Sequence, residues 1–166
     1  MFEVGDYVIY GTNGVCRIEA VGKIDSSIMD NKRIYYTLVP FYSKSGRIYV
    51  PTDSDKVSIR KILSKEEAIA FIDGIGDIET LWITDEKTRE LTYKEAFRTH
   101  DCHEYVRIIK TIYFRKEERI AEKKKLTATD ERYFRMAEEQ LYGELGVSLS
   151  MDKDKVRDYI FERMEA

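Results

Sequence analysis

Apolar residues recur with two different periods along this chain, and the change of period divides it. Up to about residue 60 the period is two. In Val15-Cys16-Arg17-Ile18-Glu19-Ala20-Val21 it places Cys16, Ile18 and Ala20 on one face and Arg17 and Glu19 in water. Val4-Gly5-Asp6-Tyr7-Val8-Ile9-Tyr10 opens as a turn and becomes a strand, and Gly11-Thr12-Asn13-Gly14 supplies hairpin chemistry between the two. A polar loop ending at Asp30-Asn31-Lys32 leads into residues 33–40, rich in β-branched and aromatic side chains. Ser43-Lys44-Ser45-Gly46 turns into residues 47–51, and residues 57–59 form a short closing strand. About five short strands with no helical period predict a small, strongly bent β-barrel of SH3 or Tudor type.

From Ser64 the period becomes three to four. Ser64 is an N-cap with Glu66 and Glu67 behind it, and Ala68, Ile69, Phe71 and Ile72 form an apolar face. A second helix is expected over about 85–98, capped by Thr84 and burying Leu91, Ala96 and Phe97. Asp101 and Glu104 have capping-box spacing at the head of a long helix. Its stripe is Tyr105, Ile108, Ile109, Ile112, Tyr113 and Ile120, and Lys123-Lys124-Lys125 closes it. A fourth helix starts at residues 126–130, with Phe134, Ala137, Leu141 and Leu145 inward, and ends at Gly146. A fifth spans about 152–164. The expected fold class is α+β in two domains, a barrel over 1–58 and an all-α bundle of about five helices over 59–166.

Charge and composition narrow the function classes. Of 166 residues, 43% are apolar and 36% charged, with net charge −3, so a globular protein with no global basic signal for nucleic acid is expected. A weakly basic stretch, 82–126, lies between acidic flanks at 64–81 and 127–166, which permits a local nucleic-acid surface. Cys16 and Cys102 make no disulfide framework. The N-terminus has neither the basic nor the apolar region of a signal peptide, and no apolar run approaches a membrane span. A reducing cytoplasm is expected. So is a monomer, with a dimer left open.

No convergent catalytic set can be assembled. His100-Asp101-Cys102-His103 fits no zinc spacing, Asp101 already has a capping role, and neighbours on a helix start point to different faces. There is no Walker sequence, no G-x-G-x-x-G and no G-x-S-x-G. A non-enzyme without metal or cofactor is expected. The residue that stands out is Trp82, the single tryptophan, between the glycine-bearing break Asp73-Gly74-Ile75-Gly76-Asp77 and the expected Thr84 cap. Locally it reads either as a core residue or as an exposed anchor for a partner.

Several stretches together resemble the CarD/CdnL family of bacterial transcription regulators. They are the opening Val4-Gly5-Asp6-Tyr7-Val8-Ile9-Tyr10 with Asn13-Gly14-Val15, Tyr49-Val50-Pro51 at a strand end, Trp82, and residues 126–132 with Ala137, Glu138, Leu141, Gly143, Glu144 and Leu145. The opening is shared with the polymerase-interacting module of the transcription-repair coupling factor. The resemblance implies a barrel docked on the β-subunit lobe of RNA polymerase and a helical domain at the upstream edge of the melted −10 region of promoter DNA. There the tryptophan would wedge into the minor groove and stabilise the open complex. Acidic Asp85 and Glu86 follow Trp82 where the family often carries basic residues, so phosphate contacts are assigned to Lys87, Arg89 and Lys94. Lys110, Arg132 and Arg135 are further candidates. Tyr49 stands where the family's polymerase-contacting arginine is expected, so Arg47, two residues earlier on the same strand face, is taken as its substitute, with Arg17 and Tyr49. The rival expectation is a protein-interaction adaptor that binds polymerase or another partner through the barrel, with Trp82 buried and no DNA contact.

Overall fold

The computed structural model describes residues 1–24, 32–43, 46–55 and 58–165. The loop and turn positions expected at Asp30, Asn31, Lys44, Ser45 and Lys56, and Val57 of the expected closing strand, lie outside them. The chain separates into two compact units, Met1–Ile62 and Leu63–Ala166, each with its own core.

The first unit is an antiparallel sheet of five strands: β1 (Tyr7–Tyr10), β2 (Val15–Gly22), β3 (Tyr35–Pro40), β4 (Ile48–Pro51) and β5 (Ile59–Lys61), in the order β4-β3-β2-β1-β5. A single 3-10 turn, Gly11–Asn13, joins β1 to β2, with Gly11 at φ 50° and Gly14 at φ 70°, a region where other side chains are strained. The last strand sits two residues later than expected and pairs Ile59 with Tyr10 and Lys61 with Val8. The unit therefore runs past residue 58.

A β-bulge corrects the expected alternation in β2. Ile18 pairs with Leu38 but Ala20 pairs with Thr37, so Glu19 is the extra residue and the phase flips after it. Ala20 turns out to solvent, and Val21 packs against the core made by Val8, Cys16, Ile18, Tyr36, Leu38 and Val50. Phe2 covers one end of that core, its N–H donating to the Tyr36 hydroxyl at 3.1 Å.

Five helices build the second unit: α1 (Lys65–Asp73), α2 (Arg89–Arg98), α3 (Cys102–Ala121), α4 (Ala128–Leu149) and α5 (Lys153–Glu165). Ser64 and Glu67 close a full capping box on α1. Tyr93, Tyr105, Ile108, Ile112, Leu145 and Val156 are among its most buried side chains.

Helix ends account for the departures from expectation. Asp85, not Thr84, is the cap, and it caps a short 3-10 turn, Glu86–Thr88, so that α2 begins only at Arg89. With that later start Tyr93, Ala96 and Phe97 form the inward face and Leu91 is 54% exposed. Asp101 accepts from the His103 N–H, but Glu104 turns to Arg107 instead of completing a box. Helix α3 stops at Ala121, and the three lysines follow it, with Lys123 left-handed at φ 61°. Its last turns leave Tyr113, Phe114 and Ile120 exposed, so only the first half of the expected stripe is core. Helix α4 continues through Gly146: the Met151 N–H returns to the Gly146 carbonyl and the Ser150 N–H to that of Val147, a Schellman closure around left-handed Ser150. Tyr133 leads the core face of α4, with Phe134 half-buried beside it. Among the described residues no helix is long and apolar enough to cross a membrane.

Candidate nucleic-acid interface

Residues 79–84 run without regular structure between α1 and α2, and successive side chains fall on alternate sides. Leu81 is buried and Ile83 half-buried against the helical core, whereas Trp82 between them is 83% exposed. That overturns the expectation of a buried tryptophan. An exposed indole of this size is uncommon, because aromatic side chains are normally where area is buried.

The backbone leading into Trp82 is tied to α3. The Leu81 N–H donates to Thr111 Oγ1 at 2.8 Å, and the same hydroxyl donates to the Arg107 carbonyl at 2.6 Å. Lys110 Nζ donates to the carbonyls of Ile75 at 2.5 Å, Ile78 at 2.7 Å and Gly76 at 3.4 Å.

After the tryptophan, a closed ring of polar side chains joins α2, α3 and α4. Glu86 receives Arg89 at 2.8 Å and Arg115 at 2.9 Å; Arg89 also donates to the Tyr93 hydroxyl at 3.0 Å. Tyr93 donates to Asp130 Oδ1 at 2.8 Å, and Arg115 Nε reaches Asp130 Oδ2 at 2.8 Å, which completes the circuit. Its charge balances pairwise, two guanidiniums against two carboxylates. The Arg89 and Arg115 bonds hold the Glu86 carboxyl at about 2, far under its ordinary 4.5. Burial would raise Asp130, yet the donors Tyr93, Arg115 and Thr127 hold it below its usual value. Burial pushes Tyr93 up to about 12. Asp85 spends an oxygen on the Lys87 N–H at 3.0 Å. The two carboxylates that follow Trp82 are thus engaged within the protein, one by a cap and one by two arginines.

The ring sets a pH dependence. A carboxyl whose folded value lies below its unfolded one stabilises the fold fully above the unfolded value and loses that contribution as pH falls through the folded one. The helical unit is therefore expected to lose stability between pH 4.5 and about 2 as Glu86 takes up its proton. Glu86→Gln should be less stable at pH 7 and shed less stability across that interval. Urea unfolding at pH 7, 4 and 2.5, followed by far-ultraviolet circular dichroism, checks this; parallel losses in parent and variant would refute it.

The expected phosphate-contacting residues divide. Lys87 and Lys94 are exposed and make no side-chain ion pair among the described residues. Arg89 and Lys110 are spent inside the protein, on the ring and on the three carbonyls. Arg132 lies 5.2 Å over the Tyr133 ring and pairs with Glu90 at 2.8 Å, while Arg135 lines a separate groove with Glu138, Tyr142 and Arg157. Sequence reasoning missed Thr111, Arg115 and Asp130, whose partners across the fold lie 15 to 37 residues away and leave no local signal.

In the first unit the three expected polymerase contacts meet around a residue not anticipated as their centre. Glu19, the half-buried extra residue of the bulge, receives Arg47 at 2.6 and 3.3 Å. Its carboxyl is held low first by that bond and also by the charge of Arg17, and Tyr49 acts on Arg47 in turn. Tyr49 stands exposed on β4, an end strand of the sheet. Arg17, Glu19, Arg47 and Tyr49 thus share one polar patch.

Cys102 is buried and donates to Glu144 at 3.2 Å, and His100 is buried against Tyr105; only His103 is exposed. No group of three His, Cys, Asp or Glu among the described residues is placed to hold a metal ion. No curated protein matches the chain. Residues 2–63 match the family model described as CarD-like/TRCF RID domain, a span that coincides with the sheet unit and excludes the helical one. Residues 2–63 thus carry a domain of the CarD-like/TRCF RID type, a family of RNA polymerase-interacting transcription factors.

Proposed function

We propose that this protein is a cytoplasmic, non-enzymatic transcription regulator that docks on the β-subunit lobe of bacterial RNA polymerase and stabilises the promoter open complex by inserting Trp82 into DNA. The docking half of this reading rests on the family match and on the patch of Arg17, Arg47 and Tyr49 beside a sheet edge, a surface suited to strand-edge and polar contacts. The DNA half rests on one observation: the single tryptophan is almost fully exposed at the end of a backbone segment held by α3. An apolar wedge fits only a step that has already been partly unstacked, so it binds the distorted duplex better than the closed one. A ligand shifts an equilibrium by its difference in affinity for the two states and by nothing else. Lys87 and Lys94 supply phosphate contacts in this reading.

The test uses the full chain. Trp82→Ala is expected to retain capture by the isolated β-lobe and to lose the extension of open-complex lifetime. A variant that keeps both the capture and the lifetime would refute the wedge, and a parent protein that fails to bind the lobe would refute the docking.

A further inference from the structure

We propose that Lys110 and Thr111 are positioning residues for Trp82, locking the preceding backbone so that the indole meets DNA in one orientation. The inference rests on the reading of Trp82 as the DNA contact and adds what makes that contact effective.

The loop from Ile75 to Leu81 begins with a single 3-10 turn, Ile75–Asp77, in which the Ile78 N–H returns to the Ile75 carbonyl. An ammonium has three protons, and Lys110 places its nitrogen on three of the loop's carbonyls, those of Ile75, Gly76 and Ile78. The next residue, Thr111, fixes the other end. Its oxygen accepts the Leu81 N–H while its proton goes to the Arg107 carbonyl, so donor and acceptor functions are both used. Leu81 is the residue immediately before Trp82, and burial falls away sharply from one to the other, from 9% to 83% exposed.

Two adjacent residues of one helix therefore hold both ends of the segment that delivers the tryptophan. Freed, each backbone residue would have to be ordered again on binding, a cost that comes straight off the wedge. Losing one such restraint should shorten the extension of lifetime by about tenfold, equivalent to about 1.4 kcal/mol. The chemistry also predicts which replacements work. Serine keeps the hydroxyl of Thr111 and valine does not, though valine keeps the shape.

The experiment compares Thr111→Val, Thr111→Ser, Trp82→Ala and the Thr111→Val/Trp82→Ala double variant in polymerase–promoter complexes. Fluorescence anisotropy of the single tryptophan is read in each free protein that retains it. Thr111→Val is expected to shorten open-complex lifetime about tenfold and to depolarise Trp82 faster. Thr111→Ser should behave as the parent, and the double variant should be no worse than Trp82→Ala. Lys110→Met, which leaves Thr111 in place, serves where Thr111→Val does not fold, with the same expectation. If Trp82→Ala shortens the lifetime and these variants do not, or if the double variant is additive, the positioning role is overturned. If Trp82→Ala itself has no effect, the wedge reading fails and this inference falls with it.

Discussion

Trp82→Ala is expected to shorten the lifetime of the promoter open complex by about tenfold or more, since a wedge with even about 1.4 kcal/mol of differential binding moves the closed–open equilibrium that far. What makes the experiment decisive is the exposure of the side chain. A core tryptophan cut to alanine costs about 3–5 kcal/mol of stability, whereas a surface replacement usually falls within about 0.5 kcal/mol. At 83% exposed, Trp82 belongs to the second class, so the variant stays folded and its loss reports on DNA alone. Trp82→Phe should retain an intermediate lifetime, because a smaller ring still fills part of an unstacked step. Single-promoter dissociation after competitor challenge measures it. Unchanged lifetimes for Trp82→Ala, with polymerase capture intact, would end the wedge reading.

Asp130→Ala has the largest expected effect on stability, a loss of about 3–5 kcal/mol from the helical unit. Asp130 is 0% exposed and takes both the Tyr93 hydroxyl and the Arg115 guanidinium; its own N–H and one oxygen complete the capping box with Thr127. Removing it leaves the buried Tyr93 hydroxyl without its acceptor and Arg115 with Glu86 alone, and leaving buried partners unpaired costs more than the bonds contributed. Domains are typically stable by about 5–15 kcal/mol, so the change takes a large share. Tyr93→Phe removes two bonds, the one from Arg89 and the one to Asp130, while leaving the Arg115–Asp130 pair, and should cost about 1–3 kcal/mol. Urea titration separates the two; a loss under about 1 kcal/mol for Asp130→Ala would show that the ring is ornamental to stability.

Much of the architecture was legible because periodicity and caps are local. The five strands, the Ser64 cap and the break before Trp82 lie in short stretches whose residues decide their own conformation. The bulge at Glu19 was not legible: one extra residue reverses the inside and outside of Ala20 and Val21, and nothing in the composition marks it. Leu91 was misplaced because the 3-10 turn delays α2, which rotates the whole face. The surroundings of the candidate sites were hidden for another reason. A sequence shows that Arg89 and Lys110 are cations and near Trp82 in order; it does not show that their protons are already given away. Such pairings are long-range, and Lys110 reaches carbonyls 32 to 35 residues back. The rarity of the tryptophan was visible at once, and its exposure only the fold could decide.

The internal commitment of those cations has a consequence in solution. Binding to DNA through phosphates releases condensed counterions, and affinity then falls steeply with salt, by a slope that counts the phosphates neutralised. Of the cations near Trp82 in the helical unit, Arg89, Arg115 and Lys110 are closed into rings and loops, which leaves Lys87 and Lys94 as the phosphate contacts of this reading to enter that count. A slope of no more than about −2 is the expected result for the DNA contribution. A regulator built this way would act at much the same strength in dilute and in concentrated electrolyte, its hold on the promoter set by the shape of the distorted step rather than by the ionic atmosphere around it.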